Sequence, residues 1–341
     1  MIKRTIYFGN PCYLSTKDEQ LVIEQPNPAG LPKSDVIKTI PIEDIGVVVL
    51  DHQQLTISQA VIHKLMANNV ALITCDNTHH PTGMLLNLDG NTLQSERFRA
   101  QIDATLPLKK QLWQQTIKAK LTNQAHHLRE HGIDYKPLLH WADEVLSGDG
   151  GGHEGRGAAF YWRSMSAVFY SKNEESSSFR HPELDSGSAE KSIDEQTQML
   201  KQVQHDGTMF FRRREGEPPN NLLNYGYAIL RACVARSLVG SGLVPTLGIH
   251  HRNQYNAYCL ADDIMEPYRP FVDRLVATVW NEMDRPLEIN KDIKGKLLNI
   301  PTLDVSIDGQ SSPLMVALHR TTSSLVGCYD GTQRKVLYPI L

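Results

Sequence analysis

The chain lacks the marks of several common protein classes. Its 341 residues include only five cysteines, Cys12, Cys75, Cys233, Cys259 and Cys328, scattered and without a C-x-x-C pair. Such spacing supports neither a disulfide framework nor a thiolate zinc site, and reads as reduced thiols of a cytoplasmic protein. No apolar run approaches the ~18 residues of a membrane span, so no membrane association is expected. The segment 1–10 is too short and too polar for a secretory leader. Neither sign of charge dominates. A formal charge of −3 and a pI near 6.5 exclude a uniformly basic nucleic-acid coat, but leave room for a local basic band. A Gly-rich phosphate loop, a nucleophile elbow and a dinucleotide fingerprint are all missing. What is present is core material: 40% of the residues are hydrophobic, which excludes global disorder, and the length suits about two domains.

Periodicity divides the chain. Residues 1–92 read as a small β-rich domain, with strand-like runs at 4–8, 12–15, 20–24, 47–50 and 70–74 and a short helix capped by Ser58. From about Ser95 the period becomes 3.6, and residues 95–341 read as a larger helical domain, so the fold class is α+β. One helix is expected over 220–240, another from Ala261 past Trp280, and a last one from a Ser312 cap with Pro313 at its first position. Residues 171–209 interrupt the pattern. They carry eight acids against four bases and no sustained apolar period, and read as a flexible surface insertion whose removal should leave activity unchanged.

Within 97–129 seven bases, among them Arg97, Arg99, Lys109, Lys110, Lys118 and Lys120, face one acid, Asp103. Together with Arg212, Arg213 and Arg214 they make a track suited to DNA phosphates, although lysines on a helix are as readily a solvated face. Three polar clusters lie in apolar helical context: His153-Glu154-Gly155-Arg156, Gly248-Ile249-His250-His251, and Asp262-Asp263-Ile264-Met265-Glu266. Asp263 and Glu266, at i and i+3, share a helix face, where two carboxylates repel unless a cation stands between them. Carboxylates with an imidazole suit magnesium or manganese better than zinc or copper.

The order and wording of these pieces resemble the CRISPR-associated integrase of the spacer-adaptation machinery, in its type II form. The matching stretches are Arg4-Thr5-Ile6-Tyr7-Phe8, Pro41-Ile42-Glu43-Asp44-Ile45-Gly46, Lys120-Leu121-Thr122-Asn123-Gln124-Ala125, Ser147-Gly148-Asp149 with Glu154-Gly155-Arg156, Pro218-Pro219-Asn220-Asn221-Leu222-Leu223-Asn224-Tyr225-Gly226-Tyr227, Gly248-Ile249-His250-His251, and Asp263-Ile264-Met265-Glu266-Pro267-Tyr268-Arg269-Pro270. The likeness spans the chain outside 171–209.

The resemblance implies an N-terminal β-domain serving dimerisation, an all-helical catalytic domain and a homodimer. It further implies a Mg2+ or Mn2+ site made by Glu154, His251 and Glu266, with Asp263 as an auxiliary acid. The implied reaction is metal-dependent transesterification, in which a 3′-hydroxyl of captured double-stranded DNA attacks the edge of a CRISPR repeat. Implied partners are a small dimeric adaptation protein and the RNA-guided effector nuclease. Two rival readings are a metal-dependent nuclease of branched DNA and an inactive DNA-holding subunit, in which the insertion has displaced Glu154 from His251 and Glu266. Where the family often has asparagine two residues before the glutamate, this chain has Gly152, which predicts a looser helix start.

Overall fold

A computed structural model describes residues 3–27, 32, 36–170, 210, 212–213 and 216–341. The expected insertion at 171–209 and Arg214 lie outside the described residues. The N-terminal part contains β1 (Arg4–Phe8), β2 (Cys12–Lys17), β3 (Gln20–Glu24), β4 (Ile37–Pro41), β5 (Ile45–Leu50), β6 (Leu55–Ile57), helix α1 (Gln59–Ala67), β7 (Ala71–Cys75) and β8 (Pro81–Leu85). Ser58 caps α1 as its sequence suggests, accepting from Val61 N–H. One sheet has the order β1-β5-β7-β8, with β1, β5 and β7 parallel; the other has the order β4-β3-β2-β6.

The continuous apolar run of β5 is explained by burial on both faces. Val47 and Val49, with Ala71 and Ile73 of β7, enter the large core of the helical part, whereas Val48 and Leu72 pack with Leu14, Leu21 and Leu65 in a smaller one. The first sheet is therefore shared between the two parts of the molecule.

The remainder comprises α2 (Gln94–Asp103), α3 (Leu106–Glu130), α4 (Lys136–Glu144), α5 (His153–Tyr170), α6 (Asn220–Gly240), α7 (Cys259–Met265), α8 (Arg269–Glu282), α9 (Lys291–Leu297), the hairpin β9 (Asp304–Ile307) with β10 (Gln310–Pro313), and α10 (Leu314–Tyr329). Three expectations are corrected here. The helical part is not all-helical, because it carries that hairpin. The helix read from Ala261 past Trp280 is broken into α7, a 3₁₀ turn (Glu266–Tyr268) and α8, because Pro267 and Pro270 cannot donate the bonds a continuous helix needs. Ser312 and Pro313 end a strand rather than open a helix, and α10 begins at Leu314 without a side-chain cap.

Phe210, where the described chain resumes, packs its ring 4.9 Å from that of Phe169 and donates its N–H to Ser166 Oγ. The chain thus leaves and re-enters the core beside one spot at the end of α5. Helix α3 runs through the centre of this part, and Trp113, Ile117, Leu121, Ala125 and Leu128 form its apolar stripe. Lys120, Gln124 and His127 are buried on it as well.

Candidate active site

Glu154 stands in the first turn of α5, where a carboxylate is favoured by the helix dipole. The helix start is firmly capped despite its glycines. Asp149 accepts the N–H groups of His153 and Glu154 on its two oxygens, each at 2.9 Å, and Gly152 supplies a left-handed φ of +65°. The looser start expected from Gly152 is therefore not what the structure shows.

Glu266 is carried on the 3₁₀ turn between α7 and α8. Asn123 of α3 pins that turn by donating to the Pro267 carbonyl at 2.8 Å, which brings Glu266 beside the same helix that bears Lys120. Lys120 Nζ lies 2.9 Å from Glu154 Oε1 and 2.6 Å from Glu266 Oε2. The second contact has ion-pair distance but not hydrogen-bond alignment, so Glu266 Oε2 is a buried oxygen without a directed donor. Arg269 Nε holds the other oxygen, Oε1, at 2.8 Å. Burial pushes the Glu266 carboxyl up, but the Arg269 and Lys120 charges outweigh it and hold it at about 2. For Lys120 the burial penalty is likewise outweighed by the two glutamates, and its ammonium is held charged.

His251 stands on the 248–251 loop, within electrostatic reach of Glu266 and Glu154. Its Nδ1 is 2.5 Å from Asp263 Oδ1, and fully buried Asp263 also accepts the His250 and His251 N–H groups at 2.9 and 3.3 Å. The loop closes this tightly only because residue 248 is glycine: a Cβ there would stand 2.4 Å from the His251 carbonyl and 2.9 Å from Asp263 Oδ2. With Nδ1 engaged, Nε2 is the ring nitrogen left to ligate. The Asp263 hydrogen bond raises the His251 pKa against burial, and the Glu266 and Glu154 charges add to it. His250 stacks flat on Trp113, with centroids 4.1 Å apart, and meets the His251 ring edge-on at 5.3 Å.

Glu154 and Glu266 are thus gathered around one ammonium, with His251 within their electrostatic reach. As placed, they do not close into a cage. Among the described residues, no three His, Cys, Asp or Glu side chains stand in a metal-holding arrangement. The ammonium of Lys120 occupies the space between the carboxylates.

The basic residues of the expected DNA track divide. Arg99 and Lys110 are exposed, Lys109 is half-buried, and Lys118 is exposed beside Asp143 at 3.1 Å. Arg97 donates to the Ser241 carbonyl, and Arg212 to Asn220 and Asn224. Arg213 is exposed. Lys120 is the correction: it is 6% exposed and belongs between the two glutamates, not on a DNA-facing surface. Behind it, a cavity of about 150 Å³ is lined by Lys120, Gln124, Glu266, Arg269 and Asp273. It shares Arg212, Tyr227 and Arg269 with an open groove of about 1060 Å³. Asp273 is not singled out by the sequence, because its spacing on α8 is that of an ordinary core position.

Residues 6–186 and 197–299 match the protein family described as CRISPR associated protein Cas1. Over 342 residues, 99% of this chain and 96% of the relative, the sequence is 30% identical to the CRISPR-associated endonuclease Cas1 of Neisseria meningitidis serogroup C. A Pyrobaculum aerophilum CRISPR-associated endonuclease Cas1 is 32% identical over 115 residues, 33% of this chain and 39% of the relative. In fold, the chain is similar to a casposase bound to its integration product, with a TM-score of 0.69 and 18% identity over 98% of this chain and 92% of that one. It is also similar to a CAS1 protein from Thermotoga maritima, with a TM-score of 0.67 and 14% identity over 96% of this chain and 97% of that one.

Proposed function

The chain belongs to the Cas1 family of CRISPR-associated proteins, and from that premise we propose that it joins captured DNA to a CRISPR repeat by metal-dependent transesterification. The observation that carries the reading is the meeting of Glu154 and Glu266 across a single positive charge, with His251 in their electrostatic reach and its Nδ1 anchored on Asp263. Two carboxylates that bracket an ammonium will accept a hard divalent cation, and the undirected oxygen of Glu266 is a ready ligand. The residues that would hold Mg2+ or Mn2+ are Glu154, His251 through Nε2, and Glu266. When bound, such a cation supplies charge to lower the pKa of a hydroxyl and to stabilise a phosphorane.

The protein's own groups do the rest. Asp263 fixes the ring and tautomer of His251, and Arg269 holds Glu266 ionised and oriented. Lys120 keeps the carboxylates paired in the resting protein. Lys109, Lys110, Arg212 and Arg213 provide positive charge for the strands. In the reaction, the attacking 3′-oxygen forms a bond to phosphorus while the bond to the repeat's own 3′-oxygen breaks, and no net hydrolysis occurs.

The casposase likeness and a Cas6-RT-Cas1–Cas2 complex among similar solved structures support DNA and a Cas2-type adaptation protein as partners. A homodimer, the effector nuclease, the type II form and a cytoplasmic location are carried as parts of the same proposal. Among the described residues, no helix is long and apolar enough to cross a membrane. That Glu154 shares Lys120 with Glu266 supports the active reading over the inactive one, in which Glu154 is displaced from His251 and Glu266. The test is a plasmid-joining assay with a 3′-hydroxyl duplex, with and without Mn2+ and the adaptation partner. Covalently joined product only with metal supports the proposal. Cleavage without joining would favour the branched-DNA nuclease.

A further inference from the structure

Asp273 of α8 faces the 150 Å³ cavity that Glu266 and Lys120 also line. It is 1% exposed and accepts two hydroxyls, Tyr161 of α5 on Oδ2 at 2.9 Å and Tyr227 of α6 on Oδ1 at 2.5 Å. The array continues outward. His127 Nδ1 of α3 is 2.7 Å from the Tyr161 oxygen, and His131 Nε2 is 3.3 Å from His127 Nε2. His131 closes the C-terminal end of α3 and is exposed to solvent.

Hydrogen counting orients this chain. Tyr161 has one proton and gives it to the carboxylate, so His127 must donate from Nδ1 to the tyrosine oxygen. His127 Nε2 then carries a lone pair, which His131 Nε2–H fills. Every proton points from the surface toward Asp273. The surrounding charges are Arg212 and Arg269, whose guanidiniums lie 5.2 and 4.5 Å from the Tyr227 ring centroid, and the Arg274–Glu130 pair, 3.0 Å apart, close to His127 and Tyr161. Burying an acid and an imidazole is costly when apolar side chains would fill the same volume. A wholly structural network also has no need to run unbroken from a catalytic cavity to solvent.

We infer that His131, His127 and Tyr161 form a proton wire that reloads Asp273 from solvent, and that Asp273 supplies the proton taken up by the departing 3′-oxygen of the cut repeat strand. The inference deepens the joining reaction proposed above and rests on it. The balance is simple. The attacking 3′-hydroxyl gives its proton to solvent water as its oxygen bonds to phosphorus. The phosphorus–oxygen bond to the leaving group breaks, its electron pair stays on oxygen, and that oxygen takes the Asp273 proton, relayed by water in a cavity large enough for a few molecules. Asp273 takes the Tyr161 proton, Tyr161 that of His127 Nδ1, His127 Nε2 that of His131, and His131 one from a buffer acid. Burial lifts the Asp273 carboxyl to about 6, against its two tyrosine hydrogen bonds, so it can carry a proton near neutral pH. Burial also holds His127 near 3, so the transfer is a concerted exchange through a neutral ring rather than storage on an imidazolium.

Two measurements on the full-length protein test the wire. In the first, imidazole ¹⁵N NMR at a pH well above 6, where Asp273 is ionised, should show His127 with hydrogen on Nδ1 and none on Nε2. The opposite tautomer breaks the wire and overturns the inference, whether or not joining is observed. In the second, single-turnover joining is followed with saturating DNA and metal. Exposed His131→Ala should slow joining about 10-fold, with unchanged melting temperature and DNA affinity, and added imidazole should restore it. Asp273→Asn should slow joining about 100-fold without rescue. Full activity of His131→Ala, or a defect that imidazole does not repair, refutes the wire. An inactive wild-type protein refutes the joining reading, and with it the assignment of Asp273 as donor to the leaving oxygen, while the tautomer result still decides whether the wire exists.

Discussion

Replacing Lys120 by methionine tests the electrostatics of the site at its centre. The side chain keeps its length and loses its charge. The glutamate oxygens it bridges stand 2.9 and 2.6 Å from Nζ, so they are at most about 5.5 Å apart. At an effective dielectric near ~20, two unit negative charges at that separation repel by about 3 kcal/mol. Loss of the attraction that now offsets the cost of burying Glu266 adds to this, and breaking a buried ion pair costs roughly 3–5 kcal/mol. In a protein of 341 residues, each kcal/mol corresponds to about 1.4 °C, so Lys120→Met in EDTA should melt about 10 °C below the parent. A divalent cation can take the vacated place. Millimolar Mn2+ should raise the melting temperature of the variant more than that of the parent, because a ligand stabilises the state that binds it. The assay is a thermal melt of both proteins across a Mn2+ series. A variant as stable as the parent in EDTA, or one whose melt ignores Mn2+, would show that the two carboxylates are not the cation-seeking pair described here.

Other outcomes follow from the same arrangement. Glu154→Ala or His251→Ala should abolish joining, by at least about 100-fold, with duplex binding retained, whereas His250→Ala should stay active; single-turnover joining and gel-shift assays compare the three. Lys109→Ala with Lys110→Ala should weaken DNA binding across sequences and reduce the slope of affinity against salt by about 1–2, as read from titrations at several salt concentrations. Asp273 has its carboxyl raised from 3.8 to about 6 by burial, so its contribution to stability is complete below pH 3.8 and is lost as pH rises through 6. Denaturant unfolding of Asp273→Asn should therefore lack up to about 3 kcal/mol of the decline that the parent shows across that window.

Strand runs with a period of two, and the helix over 220–240, were legible in the sequence because burial of one face imposes its period on the residues. The hairpin of β9 and β10 was not, since three polar residues and a proline, Gln310-Ser311-Ser312-Pro313, carry no apolar alternation. Lys120 shows the deeper limit. On α3, residues 120, 124, 127 and 131 lie along one face, and a run of lysine, glutamine and histidines reads as a solvated or DNA-facing stripe. Its burial depends on partners 34 and 146 positions away, Glu154 and Glu266, and no local pattern announces that meeting. The three-cluster wording around Glu154, His251 and Glu266 was visible; that a protein ammonium, rather than open space, stands between the carboxylates was visible only in the fold.

The most direct measurement is anomalous diffraction at the manganese edge from crystals grown with Mn2+. A single peak bonded to Glu154, to Nε2 of His251 and to Glu266, with the Lys120 ammonium moved out from between the carboxylates, is the predicted result. Manganese bound elsewhere, or an undisturbed Lys120 bridge at saturating metal, would contradict the catalytic site proposed for this chain.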